Sequence, residues 1–174
     1  HFLADPNTSR RIVRLADLEP GARVLEIGPG VGSLTAALVE AEAEVTALEL
    51  DRHVLPLLDA VLATTGHAER VAVVQGDALT TDLGALLGAG PVACVSNLPY
   101  NVATPIVMRI LEDVPAITRL LVMVQREVGE RMAAGVGGKE YGSVSVRIAF
   151  HGRARVVGTV PPSVFLPPPK VDSA

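Results

Sequence analysis

Halfway along the chain, directly after the apolar run Val92-Ala93-Cys94-Val95, the sequence reads Ser96-Asn97-Leu98-Pro99-Tyr100-Asn101-Val102-Ala103-Thr104-Pro105. A strand-to-helix loop ordinarily uses glycine, serine or aspartate. This one holds out an amide, a proline and an aromatic ring. Taken alone, Asn-x-Pro-Tyr is an ordinary turn with a packed tyrosine, but its residue types suit a grip on a planar aromatic amine. The exocyclic nitrogen of adenine is a poor nucleophile because its lone pair is delocalised into the ring. Attack on a methylsulfonium therefore requires the nitrogen to pyramidalise. The amide oxygen of Asn97 and the main-chain carbonyl of Leu98 can accept its two N–H bonds, a pair of contacts that strengthens on the way to the transition state. Pro99 confines Leu98 to extended conformations and so aims that carbonyl. Tyr100 can stack on the base, an interaction worth ~1–3 kcal/mol. Phe165, set among prolines, is placed to cover the other face of a flipped base, a core phenylalanine being the alternative reading.

A second set of residues suits a nucleoside. In Glu26-Ile27-Gly28-Pro29-Gly30-Val31-Gly32, glycines at every second position permit a tight turn that a ligand can approach closely. A dinucleotide fingerprint would carry glycine or alanine where this chain has Ser33. With Glu26 in the strand and a proline between Gly28 and Gly30, the turn suits a ligand without phosphates. Glu49 lies about 20 residues on, where an acid accepts bonds from both ribose hydroxyls. Asp51 reads as a cap for the helix after it. Asp77, in Gly76-Asp77-Ala78-Leu79, is placed to accept from the exocyclic amine of an adenine. Together these describe an adenosine site with no phosphates to hold, which favours S-adenosylmethionine over a nicotinamide cofactor.

These groups must be positioned by alternating strands and helices. The pattern predicts a first helix around residues 10–18 with Asn7 as cap, then strands at 23–27, 44–50, 70–75, 92–96 and 120–124. Helices are expected at 33–41, 52–63, 83–87, from Thr104-Pro105 to 111, and at 126–134. Such alternation implies an α/β fold with a mostly parallel sheet covered on both faces and ligands at the carboxyl ends of the strands. Residues 143–150 and 154–160 read as two consecutive strands, an antiparallel hairpin at one edge. The proline-rich stretch 160–169 is stiff, because each proline fixes its own backbone angle and restrains its predecessor.

With 174 residues, 49% of them hydrophobic, the chain fits one domain with a full core. No apolar run approaches the ~18 residues of a membrane span, so a soluble protein is expected. The absence of an initiator methionine and of a signal pattern suggests part of something longer. Cys94, the single cysteine, is expected to pack as a small hydrophobe in a reducing cytoplasm. A formal net charge of −4 argues against a wholly nucleic-acid-binding surface. Arg119, Arg126, Arg131, Lys139, Arg147, Arg153 and Arg155 nevertheless concentrate late in the chain, as a basic face or as ordinary solvated charge. The four histidines have no metal-ligand spacing, and no metal site is expected.

These motifs together resemble the ribosomal RNA adenine dimethyltransferases, the KsgA family, over nearly the whole chain. The likeness is carried by His1-Phe2-Leu3-Ala4-Asp5, the glycine turn 26–32, Asn97-Leu98-Pro99-Tyr100-Asn101, Gln125-Arg126-Glu127-Val128, Tyr141-Gly142-Ser143-Val144-Ser145-Val146, and the ending from Phe165 to Ala174. His1 stands where that family has asparagine. The resemblance implies a Rossmann-like class I methyltransferase domain over residues 1–174, whose segment 1–20 contacts the cofactor. A helical C-terminal RNA-binding domain would be absent from this chain. It implies dimethylation of N6 of two adjacent adenosines near the 3′ end of small-subunit (16S) ribosomal RNA during assembly of the 30S subunit, by a cytoplasmic monomer that needs no membrane. Catalysis would fall to Asn97, Leu98, Pro99, Tyr100 and Phe165. The S-adenosylmethionine site would use His1, Leu3, Gly28, Gly30, Glu49, Asp77 and Asn97. The alternatives are a large-subunit (23S) adenine dimethylase conferring macrolide resistance, a non-catalytic assembly or transcription factor of the same fold, and, more distantly, a dehydrogenase.

Overall fold

The computed structural model describes residues 2–169 and 172–174. A short strand β1 (Phe2–Leu3) leads into helix α1 (Pro6–Ala16). Asp5, not Asn7, caps that helix: its carboxylate accepts the N–H groups of Asn7 and Thr8, and Pro6 takes the first helical position, where no N–H is required. Arg119 closes the other end by donating to the carbonyls of Ala16 and Asp17.

Strands β2 (Arg23–Ile27), β3 (Glu44–Glu49), β4 (Val71–Gln75), β5 (Val92–Asn97) and β6 (Ile117–Met123) form one parallel sheet in the order β4-β3-β2-β5-β6. Helices α2 (Ser33–Glu40), α3 (Leu55–Thr65), α4 (Leu83–Leu87), α5 (Ala103–Asp113) and α6 (Arg126–Ala133) connect or follow the strands. Helix α5 begins one residue before Thr104, so Thr104-Pro105 fall inside its first turn, where the missing proline N–H costs no hydrogen bond.

Strand periodicity sorts the core into two layers. Val24, Val45, Ala47, Val95 and Met123 pack with Ile12, Ala16, Leu34 and Leu38. Leu25, Ile27, Leu48 and Cys94 pack on the opposite face with Leu83, Ile106, Val107 and Ile110. Each fully buried leucine contributes about 1.5–3 kcal/mol. Cys94 is a core hydrophobe, and burial pushes its thiol up to about 11. After β2 the chain winds outward to β4, then returns to place β5 on the other side of β2. That reversal opens a crevice at the carboxyl ends of β2 and β5, between the loops that follow Ile27 and Asn97.

The expected hairpin is not formed. Residues 143–151 are helix α7 (Ser143–His151), and residues 152–159 have no regular structure. The alternation of Val144, Val146, Ile148 and Phe150 imitates a strand, yet Ile148 is buried while Val146 and Phe150 are 49% and 85% exposed. The helix is fixed by Ser145, whose hydroxyl accepts the Gly142 N–H at 3.2 Å and donates to the Arg131 carbonyl at 2.7 Å. Packing against α5 and α6 then overrides the β-branched composition. Antiparallel pairing occurs elsewhere, between β1 and β7 (Phe165–Leu166), with Phe2 opposite Leu166 and Leu3 opposite Phe165. Among the described residues no helix is long and apolar enough to cross a membrane.

Candidate active site

Three polar side chains end up on one face of the sheet because of strand parity. Glu26, Glu49 and Asn97 each lie two residues beyond a core residue of the same layer, respectively Val24, Ala47 and Val95. They converge where the strands end, in a cavity of about 470 Å³ whose walls include Leu3, Gly28, Gly30, Leu34, Pro99 and Tyr100. That volume suits a small-molecule ligand of nucleoside size or somewhat larger. A hollow of about 210 Å³ at the amino ends of the strands is a poorer site, because its Arg70 is paired with Glu44 and its Arg23 is bonded to the Leu87 and Ala89 carbonyls.

The glycine turn is shaped by its own backbone. Gly28, Gly30 and Gly32 have φ of 67°, 57° and 90°, a region costly for residues with a Cβ. The Gly28 N–H donates to the Leu48 carbonyl at 2.9 Å, and a Cβ on Gly28 would lie 3.6 Å from the Pro99 ring. The turn and the Asn97 loop therefore touch across the crevice. A Cβ on Gly30 would come within 2.7 Å of the Phe2 ring, so β1 folds down onto the turn.

Glu49 is 7% exposed, and both its oxygens accept main-chain N–H groups: Gly30 to Oε2 at 3.0 Å and Asp51 to Oε1 at 2.9 Å. Each oxygen keeps a second lone pair for a ligand hydroxyl. Glu26 is 1% exposed and its Oε2 has no hydrogen-bond partner. Burial is the main reason its carboxyl is pushed up to about 8; the nearby Thr35 hydroxyl opposes the rise and the Glu49 charge adds to it.

In β5 the Ser96 hydroxyl accepts the Ile27 N–H at 2.9 Å, tying β5 to β2 on the side away from the cavity. Asn97 faces the cavity, and its Oδ1 is a buried acceptor without a partner. Such an atom costs about 1–3 kcal/mol unless something donates to it. The Leu98 side chain is in the core and its N–H donates to the Met123 carbonyl at 3.0 Å, so its main chain is held while it lines the cavity. The Tyr100 hydroxyl lies 2.6 Å from Ser173 Oγ.

The structure brings Leu3, Gly28, Gly30, Glu49, Asn97, Leu98, Pro99 and Tyr100 together. His1 lies outside the described residues. Asp77 lies in the loop two residues beyond β4, with its Oδ1 accepting the Leu79 N–H at 2.8 Å, and is not among the residues lining the cavity. Phe165 is 3% exposed, packs in the core with Leu3, Leu34, Val95 and Met123, and is not among the residues lining the cavity. Strand alternation turns Phe165 inward and leaves Leu166 66% exposed. The partnership of Tyr100 with Ser173 was missed, because nothing in the spacing joins residues so far apart. Glu26 and Phe2 were also missed as cavity residues; strand parity with Glu49 was the signal for Glu26.

The order β4-β3-β2-β5-β6, with a glycine turn, an acid and an Asn-Leu-Pro-Tyr loop at successive strand ends, is that of an α/β methyltransferase fold. The family model for ribosomal RNA adenine dimethylase matches residues 1–174. The chain is 48% identical over 177 aligned positions to the ribosomal RNA small subunit methyltransferase A of Corynebacterium jeikeium (strain K411), covering 99% of this chain and 56% of that relative. Among solved structures it is similar to the 23S rRNA methyltransferase ErmE, with a TM-score of 0.85 at 33% identity, covering 100% of this chain and 67% of that one. It is also similar to a dimethyladenosine transferase from Plasmodium falciparum, with a TM-score of 0.86 at 29% identity over 99% of this chain and 61% of that one. The chain therefore belongs to the ribosomal RNA adenine dimethylase family. It spans somewhat more than half the length of the curated relatives it matches.

Proposed function

We infer that this chain carries the catalytic unit of an S-adenosylmethionine-dependent adenine N6-dimethyltransferase. Its substrate would be two adjacent adenosines near the 3′ end of small-subunit (16S) ribosomal RNA, modified during 30S assembly by a cytoplasmic monomer. One observation carries the reading: Asn97 Oδ1 is a buried, unpartnered acceptor facing the cavity beside the main chain of Leu98. An amine with two N–H bonds satisfies it.

The residues present fit the cofactor. Glu49 would take the ribose hydroxyls through its remaining lone pairs, and the turn from Gly28 to Gly32 offers close main-chain approach. Leu3 supplies an apolar wall, and Asp77, in the loop just beyond β4 and outside the cavity wall, would have to turn toward the cavity to accept the adenine amine. When bound, the cofactor supplies an electrophilic methyl group on a sulfonium.

The rest is done by the chain. Asn97 Oδ1 and the Leu98 carbonyl accept the two N–H bonds of the target adenine, favouring the pyramidal nitrogen whose lone pair is free to attack. Contacts that strengthen only as charge develops lower the barrier, and removing one such polar group typically costs about 10²–10³ in rate. Pro99 fixes the Leu98 carbonyl direction, and Tyr100 stacks on the base. No strong base is required, because the alkylated amine is acidic enough to lose its proton to water.

The higher identity to a small-subunit enzyme than to the 23S enzyme favours the 16S target. A test incubates a full-length version of this protein with labelled S-adenosylmethionine and unmethylated small subunits, then locates the label. Label on N6 of adjacent 16S adenosines supports the reading; label confined to 23S RNA, or none, contradicts it.

A further inference from the structure

Tyr100 sits at the cavity wall on a loop, and a tyrosine on a loop ordinarily explores several rotamers. Here the far end of the ring is tied down: the Tyr100 hydroxyl and Ser173 Oγ are 2.6 Å apart, across 73 residues of sequence. Ser173 is fully buried. Its main chain is fixed on both sides, with the Val160 N–H donating to the Ser173 carbonyl at 2.8 Å and the Ser173 N–H donating to the Val160 carbonyl at 3.1 Å. The next residue, Ala174, exchanges two hydrogen bonds of 2.9 Å with Val124, just beyond β6, and Arg126 donates to the Asp172 carbonyl at 3.0 Å. The serine hydroxyl is thus presented from a rigid seam between the end of β6 and Val160, while the ring it holds stands on the loop after β5.

We propose that Ser173 is a positioning residue for the target base: by anchoring the Tyr100 hydroxyl it fixes the axis of the ring on which the adenine stacks. The proposal rests on the base-stacking role of Tyr100 given above. A hydrogen bond at the tip of the ring opposes rotation about the Cα–Cβ bond, so the platform is ordered before RNA arrives and less freedom is lost on binding. The same link makes the segment that holds Ser173 part of the active site, although it forms no wall of the cavity.

The test uses full-length protein with Ser173→Ala, Ser173→Thr, Tyr100→Phe and the Tyr100→Phe/Ser173→Ala double variant, assayed on unmethylated small subunits. Losing the anchor should lower kcat/KM roughly tenfold in Ser173→Ala and in Tyr100→Phe, the scale of one ordinary hydrogen bond. The double variant should be no worse than either single, and Ser173→Thr should recover most of the loss. S-adenosylmethionine affinity should stay unchanged throughout. A second readout needs no substrate. Residues 1–174 hold two tyrosines and no tryptophan, so tyrosine-labelled NMR of that segment separates Tyr100 from Tyr141. Ser173→Ala should move and broaden the Tyr100 ring signals and leave those of Tyr141 in place. Multiplicative losses in the double variant, or unmoved Tyr100 signals, would overturn the assignment. If the NMR change is found but the wild type methylates no adenosine, the proposed function fails, and the stacking role of the anchor fails with it.

Discussion

Glu26 shows how far a single buried group can bias the molecule. Its carboxyl is held near 8 by burial, against an ordinary value of 4.5, so between those values the folded chain binds a proton that the unfolded chain has released. Stability therefore falls as pH rises through that window, by up to about 1.4 kcal/mol per pH unit. Below pH 4.5 this cost is absent, and above pH 8 it is at its full value. Glu26→Gln should accordingly melt higher than the parent at pH 8 and lose most of that advantage near pH 4.5, which thermal melts at the two pH values will read. Glu49 behaves oppositely under mutation. Glu49→Ala removes the acceptor of the Gly30 and Asp51 N–H groups and the partner of the ribose, and should weaken S-adenosylmethionine binding by ~1.5–3 kcal/mol in a calorimetric titration. Gly30→Ala meets two obstacles at once, the left-handed φ of 57° and the Phe2 ring 2.7 Å from the new Cβ. It should lower stability by about 1–2 kcal/mol in denaturant melts, where the same change at an open, helical position would not.

At the scale of elements, helix α7 separates what the sequence carries from what the fold decides. Ser145→Ala should destabilise the chain by about 1 kcal/mol or more, because it leaves the Gly142 N–H and the Arg131 carbonyl short of a partner, whereas Val146→Ala should be near neutral. A strand over the same residues would reverse the importance of the valine, so paired melts decide the matter. Four of the five parallel strands, β2 to β5, were legible because each is a short apolar run ended by Gly, Asn or an acid, and the ends of β2, β3 and β5 carry cavity residues. Helix α7 was not legible, since Val144, Val146, Ile148 and Phe150 satisfy a period of two as well as they satisfy a helix. Only contacts with α5 and α6 break the tie. The direction of the Phe165 ring was not legible for a related reason: proline stiffening told that the ring is held, but its direction is set by pairing with Leu3, a partner at the other end of the chain. Three of the arginines late in the sequence have local structural partners. Arg119 caps α1, Arg126 pairs with Glu130, and Arg147 pairs with Glu112.

At the scale of the whole molecule, the cavity walls are drawn from β1, the glycine turn, the end of β3 and the loop after β5, all within these residues. The chain should for that reason bind S-adenosylmethionine one to one by itself, measurable by calorimetry, with an affinity matching that of a full-length version. Affinity for ribosomal RNA is a different matter, since a net charge of −4 gives little phosphate neutralisation, and the chain by itself should bind that RNA weakly. The proposed methyl transfer turns on the open acceptor at Asn97 Oδ1. Its most direct test is single-turnover methyl transfer by full-length Asn97→Ala, with S-adenosylmethionine affinity measured on the same preparation. A rate reduced by at least ~10² with cofactor affinity nearly unchanged is the expected result. Transfer at the parental rate, or a loss of cofactor binding as large as that of Glu49→Ala, would contradict it.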